Sequence, residues 1–172
     1  SAFRIDKPEK YNGQLIVYCH GYAGSKGAFK DSPLNPILGQ FYDAGYAVIQ
    51  SGYSAGGWAV EQALRETEAL REYFVKKHGK PNRTIVTGHS MGGLLTVALV
   101  ESYPSHYAAG LPLCGALDPS LDFARSREFD ALVLFDYYFP GITGAAPKPE
   151  PPGGFGAPLA KNITAAITAA EP

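Results

Sequence analysis

A chain of 172 residues, 45% of them hydrophobic and 18% charged, can bury one substantial core and has the composition of an ordinary globular protein. Its 15 Lys and Arg against 16 Asp and Glu leave a net charge of -1, which offers no broad basic surface to a nucleic acid or an anionic membrane. The longest apolar stretch, residues 92–100, is far shorter than the roughly 18 residues of a membrane span, the opening Ser-Ala-Phe-Arg has no signal-peptide core, and two cysteines make no disulfide framework.

The turn signal Tyr11-Asn12-Gly13 precedes a short apolar run, residues 15–19, which reads as a buried strand ending at His20-Gly21. A Gly- and Ser-rich loop leads to a short helix over 36–44, closed by Gly45, and then to a second buried strand over 46–50. Over 58–78 the residues Val60, Ala63, Leu64, Leu70 and Phe74 recur at helical spacing among charges, until Gly79 and Pro81 stop the pattern. Residues 83–87 form another β-branched run, 92–103 a helix halted before Pro104, and 108–114 a further strand. Short apolar strands that alternate with helices, without internal polar alternation, specify an α/β fold: a mostly parallel sheet with helices on both faces. Residues 1–115 make up this core. The remainder, 116–172, reads as a cap-like or linker segment: one or two helices over 116–139, a Pro-, Gly- and Ala-dominated stretch over 140–158, and an Ala-rich segment of helical character over 159–170.

The chemistry is concentrated in Gly88-His89-Ser90-Met91-Gly92, a G-x-S-x-G pattern with Gly93 after it, between a predicted strand and a predicted helix. A sharp strand-to-helix turn lifts a serine oxygen clear of the backbone and points a helix N-terminus at the reacting centre, and flanking glycines leave room for it. The competing reading is a packing turn with an incidental serine. A phosphate loop is disfavoured, since neither G-x-G-x-x-G nor a P-loop lysine is present. His20-Gly21-Tyr22, at the end of an earlier strand, either closes that strand or supplies an oxyanion donor, with the Tyr22 and Met91 amides as the pair.

Taken with Gly57-Trp58-Ala59-Val60 and Cys114-Gly115, these segments resemble the α/β-hydrolase-fold serine hydrolases, and more narrowly bacterial esterases and prolyl-oligopeptidase-like hydrolases, over residues 3–139. The resemblance implies Ser90 as nucleophile, Tyr22 and Met91 as oxyanion hole, an acyl-enzyme, an ester substrate, no cofactor or metal, and an exported enzyme, secreted or periplasmic. It also implies an acid and then a histidine on later strands, and those strands are not found, since no His follows position 106. Asp118 is the candidate acid, while Asp122, Asp130 and Asp136 are read as decoration of a cap. His106 is expected to be an exposed loop residue at the far edge of the sheet, His78 to lie on that same side, His89 to pack beneath the turn, and His20 to shape a loop. Tyr53 and Trp58 either line the mouth and bind an acyl group or simply pack. Cys19 and Cys114 fall on strands too far apart to pair.

Two functional expectations follow. One is a serine esterase of which this chain is the N-terminal portion, its acid and base supplied by a C-terminal segment or a second polypeptide. The other is a non-catalytic binding or assembly module of the same fold. The sequons Asn82-Arg83-Thr84 and Asn162-Ile163-Thr164 are short enough to recur by chance.

Overall fold

A computed structural model describes residues 1–29, 32–117 and 130–139. The elements run β1 (Phe3–Asp6), β2 (Gln14–Cys19), α1 (Pro36–Asp43), β3 (Ala47–Ser51), α2 (Val60–His78), β4 (Arg83–His89), α3 (Met91–Ser102), β5 (Ala109–Leu113) and α4 (Asp130–Tyr138). The chain divides into two units, Ser1–Leu117 and Asp118–Pro172, and the sheet lies wholly in the first. Residues 140–158 and 159–170 lie outside the described residues. Among the described residues no helix is long and apolar enough to cross a membrane.

The strands are ordered β1-β3-β2-β4-β5, and every pairing is parallel except that of β1 with β3. The expected α/β class and mostly parallel sheet are therefore present, and the helices take opposite faces as expected. Leu15, Val17, Ala47, Ile49 and Val86 pack with Ala63, Leu70 and Phe74 of α2 and Met91, Leu95 and Leu99 of α3. On the other face Ile16 and Val48 pack with Leu38 of α1. The strand residues alternate between these two clusters because successive side chains point to opposite faces. Helix α1 starts where Asn35 Oδ1 accepts the Leu38 amide at 3.0 Å and Pro36 takes the first helical position. Strand β1 is not among the elements that the sequence pattern predicts. Its Phe3-Arg4-Ile5-Asp6 alternates apolar and polar residues, and Arg4 Nε pairs with Asp6 Oδ2 at 2.7 Å on the polar side.

At the amino ends of β4 and β5, a polar network replaces the apolar core. Arg71 Nε and Nη2 donate to Glu68 Oε1, Tyr107 OH donates to Glu68 Oε2 at 2.8 Å, and His106 Nδ1 lies 2.7 Å from Glu68 Oε1. His106 also stacks on Tyr103, with ring centroids 5.6 Å apart. It does lie at the end of the sheet away from Ser90, but the expectation of an idle exposed histidine is corrected: the ring is half-buried and engaged. Burial alone would raise the Glu68 carboxyl, yet the hydrogen bonds from Arg71 and Tyr107 and the Arg71 charge outweigh it and hold the group below the usual carboxylate range. With side chains only 10% and 6% exposed, Arg71 and Glu68 are a buried pair. Glu68→Ala should therefore cost about 3 kcal/mol in urea unfolding, because it leaves the Arg71 charge buried and uncompensated; a loss near zero would show that the pair carries no stability. Because the folded-state pKa is depressed, the contribution of Glu68 is fully present above the ordinary carboxylate pKa and is lost as pH falls through the folded value.

Candidate active site

Strand β2 has β3 on one side and β4 on the other, and the connections to those two neighbours run through α1 and α2 on opposite faces. The chain thus changes winding direction between β2 and β4, and the carboxyl ends of those strands open a crevice, the usual ligand position in an open α/β sheet. The segments His20-Gly21-Tyr22 and Ser90-Met91 leave the sheet at this point.

The register sets their levels. Cys19 pairs with Gly88, so two residues onward Gly21 stands beside Ser90. A Cβ built on Gly21 would lie 3.0 Å from His89 O and 3.4 Å from Ser90 Cβ, which brings the Tyr22 amide within about 8 Å of the serine. Strand β4 runs to His89 and α3 begins at Met91, so Ser90 alone makes the turn, with φ 60° and ψ -122°. This is a left-handed conformation that costs a non-glycine residue of order 1–3 kcal/mol and persists only where the surroundings impose it. The Ser90 N–H donates to Leu113 O at 2.9 Å, tying the turn to the end of β5. A serine at a helix N-cap ordinarily turns its hydroxyl onto the first helical amides; Ser90 makes no such bond, and its Oγ stays uncommitted. Gly92 and Gly88 are fixed by the same crowding, since a Cβ on either would run into Cys19 O.

Met91 is the first residue of α3, so its amide has no intrahelical acceptor. Neither the Met91 nor the Tyr22 N–H donates to a backbone carbonyl among the described residues. The loop carrying Tyr22 is braced from below by Tyr53, whose ring stacks on His20 at 3.9 Å and whose OH donates to His20 O at 3.3 Å. Tyr53 is 1% exposed, so of its two expected roles the structure shows packing; its strained φ of 47° aims the ring under the loop. The nearest sequence signal was Ser51-Gly52-Tyr53, and a positive φ at a tyrosine is not legible in it. Trp58 is 43% exposed and Tyr22 54%.

No histidine is hydrogen-bonded to Ser90 among the described residues, which include all four histidines. His20 Nδ1 donates to Gly21 O at 2.7 Å, while its buried Nε2 has no partner among the described residues. His89 is exposed, so the expectation that it packs beneath the turn is corrected: the side chain at the position before the strained serine points outward. His78 ends α2 against Phe74. Asp118 and Asp122 lie outside the described residues; Asp130 and Asp136 fall on α4. No group of three or more His, Cys, Asp or Glu among the described residues could hold a metal ion.

Cys19 and Cys114 are both free, one buried and one exposed. Burial pushes the Cys19 thiol up to about 12, and the neighbouring hydroxyls of Thr67 and Tyr53 offset only a smaller part of that effect. Brief treatment of the native chain with iodoacetamide should therefore alkylate Cys114 and spare Cys19 by peptide mass mapping; modification of Cys19 at a comparable rate would contradict this burial.

The solved structures that share the fold include Est1E from Butyrivibrio proteoclasticus with ferulic acid bound, 20% identical over 73% of this chain and 52% of that one, with a TM-score of 0.57. An acylaminoacyl peptidase from Pyrococcus horikoshii is 17% identical over 78% of this chain and 24% of its own, also at 0.57. A monoacylglycerol lipase from Paleococcus ferrophilus is 18% identical over 73% and 49%, at 0.52. At such identities the likeness is one of fold. This chain spans about half of the length of the first of these structures and of the lipase, and less of the peptidase. No curated protein matches the chain. The sequence profile described as the alpha/beta hydrolase family matches residues 16–170, beyond residue 139 where the resemblance was expected to stop. A match from the second strand almost to the last residue takes in the serine turn, the parallel strands around it and the second unit alike, and on it the chain belongs to the alpha/beta hydrolase family.

Proposed function

We propose that this chain carries the nucleophile of a serine hydrolase that cleaves a carboxylic ester through an acyl-enzyme at Ser90. The observation that carries the reading is the strained, uncapped Ser90 between β4 and α3, level with Gly21 across the crevice. In the reaction, Ser90 Oγ attacks the ester carbonyl and gives its proton to a base. The tetrahedral oxyanion is held by the N–H groups of Met91 and Tyr22, the alcohol leaves with a proton, and water then releases the acid. The base is a histidine from a second polypeptide or from sequence outside this chain, and Asp118 is the candidate acid. Two observations support this division. Strand β5 is exposed over Ala109 to Pro112, and α3 is apolar on every side while Leu94, Val97, Ala98 and Val100 are only half-buried, so both have a surface suited to further covering structure. Residues 116–172 then act as a cap or linker between the two portions.

A fluorophosphonate probe followed by intact mass tests the reading. A single adduct on the Ser90 peptide of the complete, active enzyme is expected, and the same spectrum reveals any accompanying chain. An active preparation that turns over esters without an adduct at Ser90 would sink the assignment. The second reading, a non-catalytic module for binding or assembly, is favoured by one observation: His106 and His78 lie at the other end of the sheet and His20 is committed to Gly21. Failure of the probe on a preparation that retains all its native chains would favour it.

A further inference from the structure

A cavity of about 390 Å³ opens at the end of the sheet away from Ser90, between the last turns of α2, the start of β4 and the α3–β5 connection. Its lining includes Arg71, Lys80, Asn82, Arg83, Ser105 and His106 and, among the described residues, no Asp or Glu. We propose that this cavity binds a small molecule through a phosphate group. The site is distinct from the serine turn, because β4 runs seven residues from Arg83 to His89 and so separates the two by about 20 Å.

Charge placement carries the argument. The chain as a whole is at -1, yet three cationic side chains converge on one recess, and only one of them, Arg71, is paired with a carboxylate among the described residues, that of Glu68. Lys76 and Lys77 have an ordinary account, since they sit in the last turn of α2 and complement its dipole. Lys80 and Arg83 follow the helix terminator Gly79 and have no such role, and neither makes an ion pair among the described residues. Arg71 is anchored from behind: Nε and Nη2 hold Glu68, and Nη2 also meets His106 Nδ1 at 2.9 Å. That leaves Nη1 with no acceptor among the described residues, on a guanidinium whose position is already fixed. A preorganised arginine, a second arginine and a lysine around one concavity, with Asn82 and Ser105 as neutral donors, suit a tetrahedral dianion approached from several directions. The volume lies at the lower end of small-molecule pockets and exceeds what a bare anion needs. Outside these three side chains the chain is net acidic, which gives a polyanion nothing to follow.

Calorimetric titration of the 172-residue chain with inorganic phosphate and with glycerol 3-phosphate, at an ionic strength fixed with sodium chloride, tests the proposal. Saturable one-site binding is expected, weakened about tenfold or more in Lys80→Ala/Arg83→Ala and unchanged in Lys10→Ala/Lys26→Ala, which removes the same charge elsewhere. Tighter binding of glycerol 3-phosphate assigns an organic phosphomonoester, and equal or weaker binding assigns free phosphate; either supports the site. Absence of saturable binding to wild type, or equal weakening by the two double variants, would overturn it. The readout does not involve ester hydrolysis, so it stands or falls apart from the assignment of Ser90.

Discussion

Ser90→Ala in the complete enzyme is expected to lower turnover of a p-nitrophenyl ester by at least about 10⁴-fold and to abolish fluorophosphonate labelling, with no loss of folding stability. The two halves of that expectation come from the same geometry. Ser90 Oγ makes no hydrogen bond to the first turn of α3, so removing it leaves no buried group unsatisfied. The strain at φ 60° is a property of the turn, and Ala retains it whereas Gly does not. Ser90→Gly should therefore be equally inactive yet more stable by about 1 kcal/mol, measured as an upward shift in the urea midpoint. Wild-type turnover in Ser90→Ala would end the nucleophile assignment. A destabilised Ser90→Gly would show that the turn is not strained, and with it the argument that this backbone is held for a purpose.

How much of this was legible before the structure depends on the range of the interactions involved. The buried strands were readable because runs such as Leu15-Ile16-Val17 and Ile85-Val86 are mostly β-branched and apolar on both faces, as a sheet covered on both sides requires. The serine turn was readable because its glycines are imposed by backbone crowding, and crowding selects residue type directly. The exact joints were not: β4 continues to His89 and α3 begins at Met91, leaving a turn of one residue where the glycines suggested a longer one. Strand β1 escaped notice because four alternating residues carry too little periodicity, and its pairing partner β3 lies more than forty positions along the chain. His106 was misread for a related reason, since its partner Glu68 is 38 residues away and nothing local in Ser105-His106-Tyr107 announces a carboxylate. For Tyr53 the sequence leaves open whether it lines the mouth or packs, and the contacts with His20 that make it a brace for the loop come from a residue 33 positions away.

The largest effect on folding is expected at Gly92. A Cβ there would collide with the carbonyl oxygen of Cys19 and stand 3.0 Å from that of His20, and both obstacles are backbone atoms that no rotamer change can move. Gly88 faces the same Cys19 oxygen from β4, so the end of β2 is clamped between a strand and a helix at backbone-to-backbone distance. Relief would require the chain at Cys19 to His20 to shift, and that chain carries Gly21 and Tyr22 into the crevice. Gly92→Ala should therefore cost more than about 4 kcal/mol in urea unfolding. Any folded fraction should lose ester turnover through a displaced Tyr22 amide even though Ser90 is untouched. Gly39 is the control: it lies within α1 with nothing within 4 Å of a built Cβ, and Gly39→Ala should stabilise the chain by up to about 1 kcal/mol. A Gly92→Ala chain as stable as wild type would show that the end of β2 can yield, and the account of the Tyr22 loop as rigidly positioned by the sheet would fail with it.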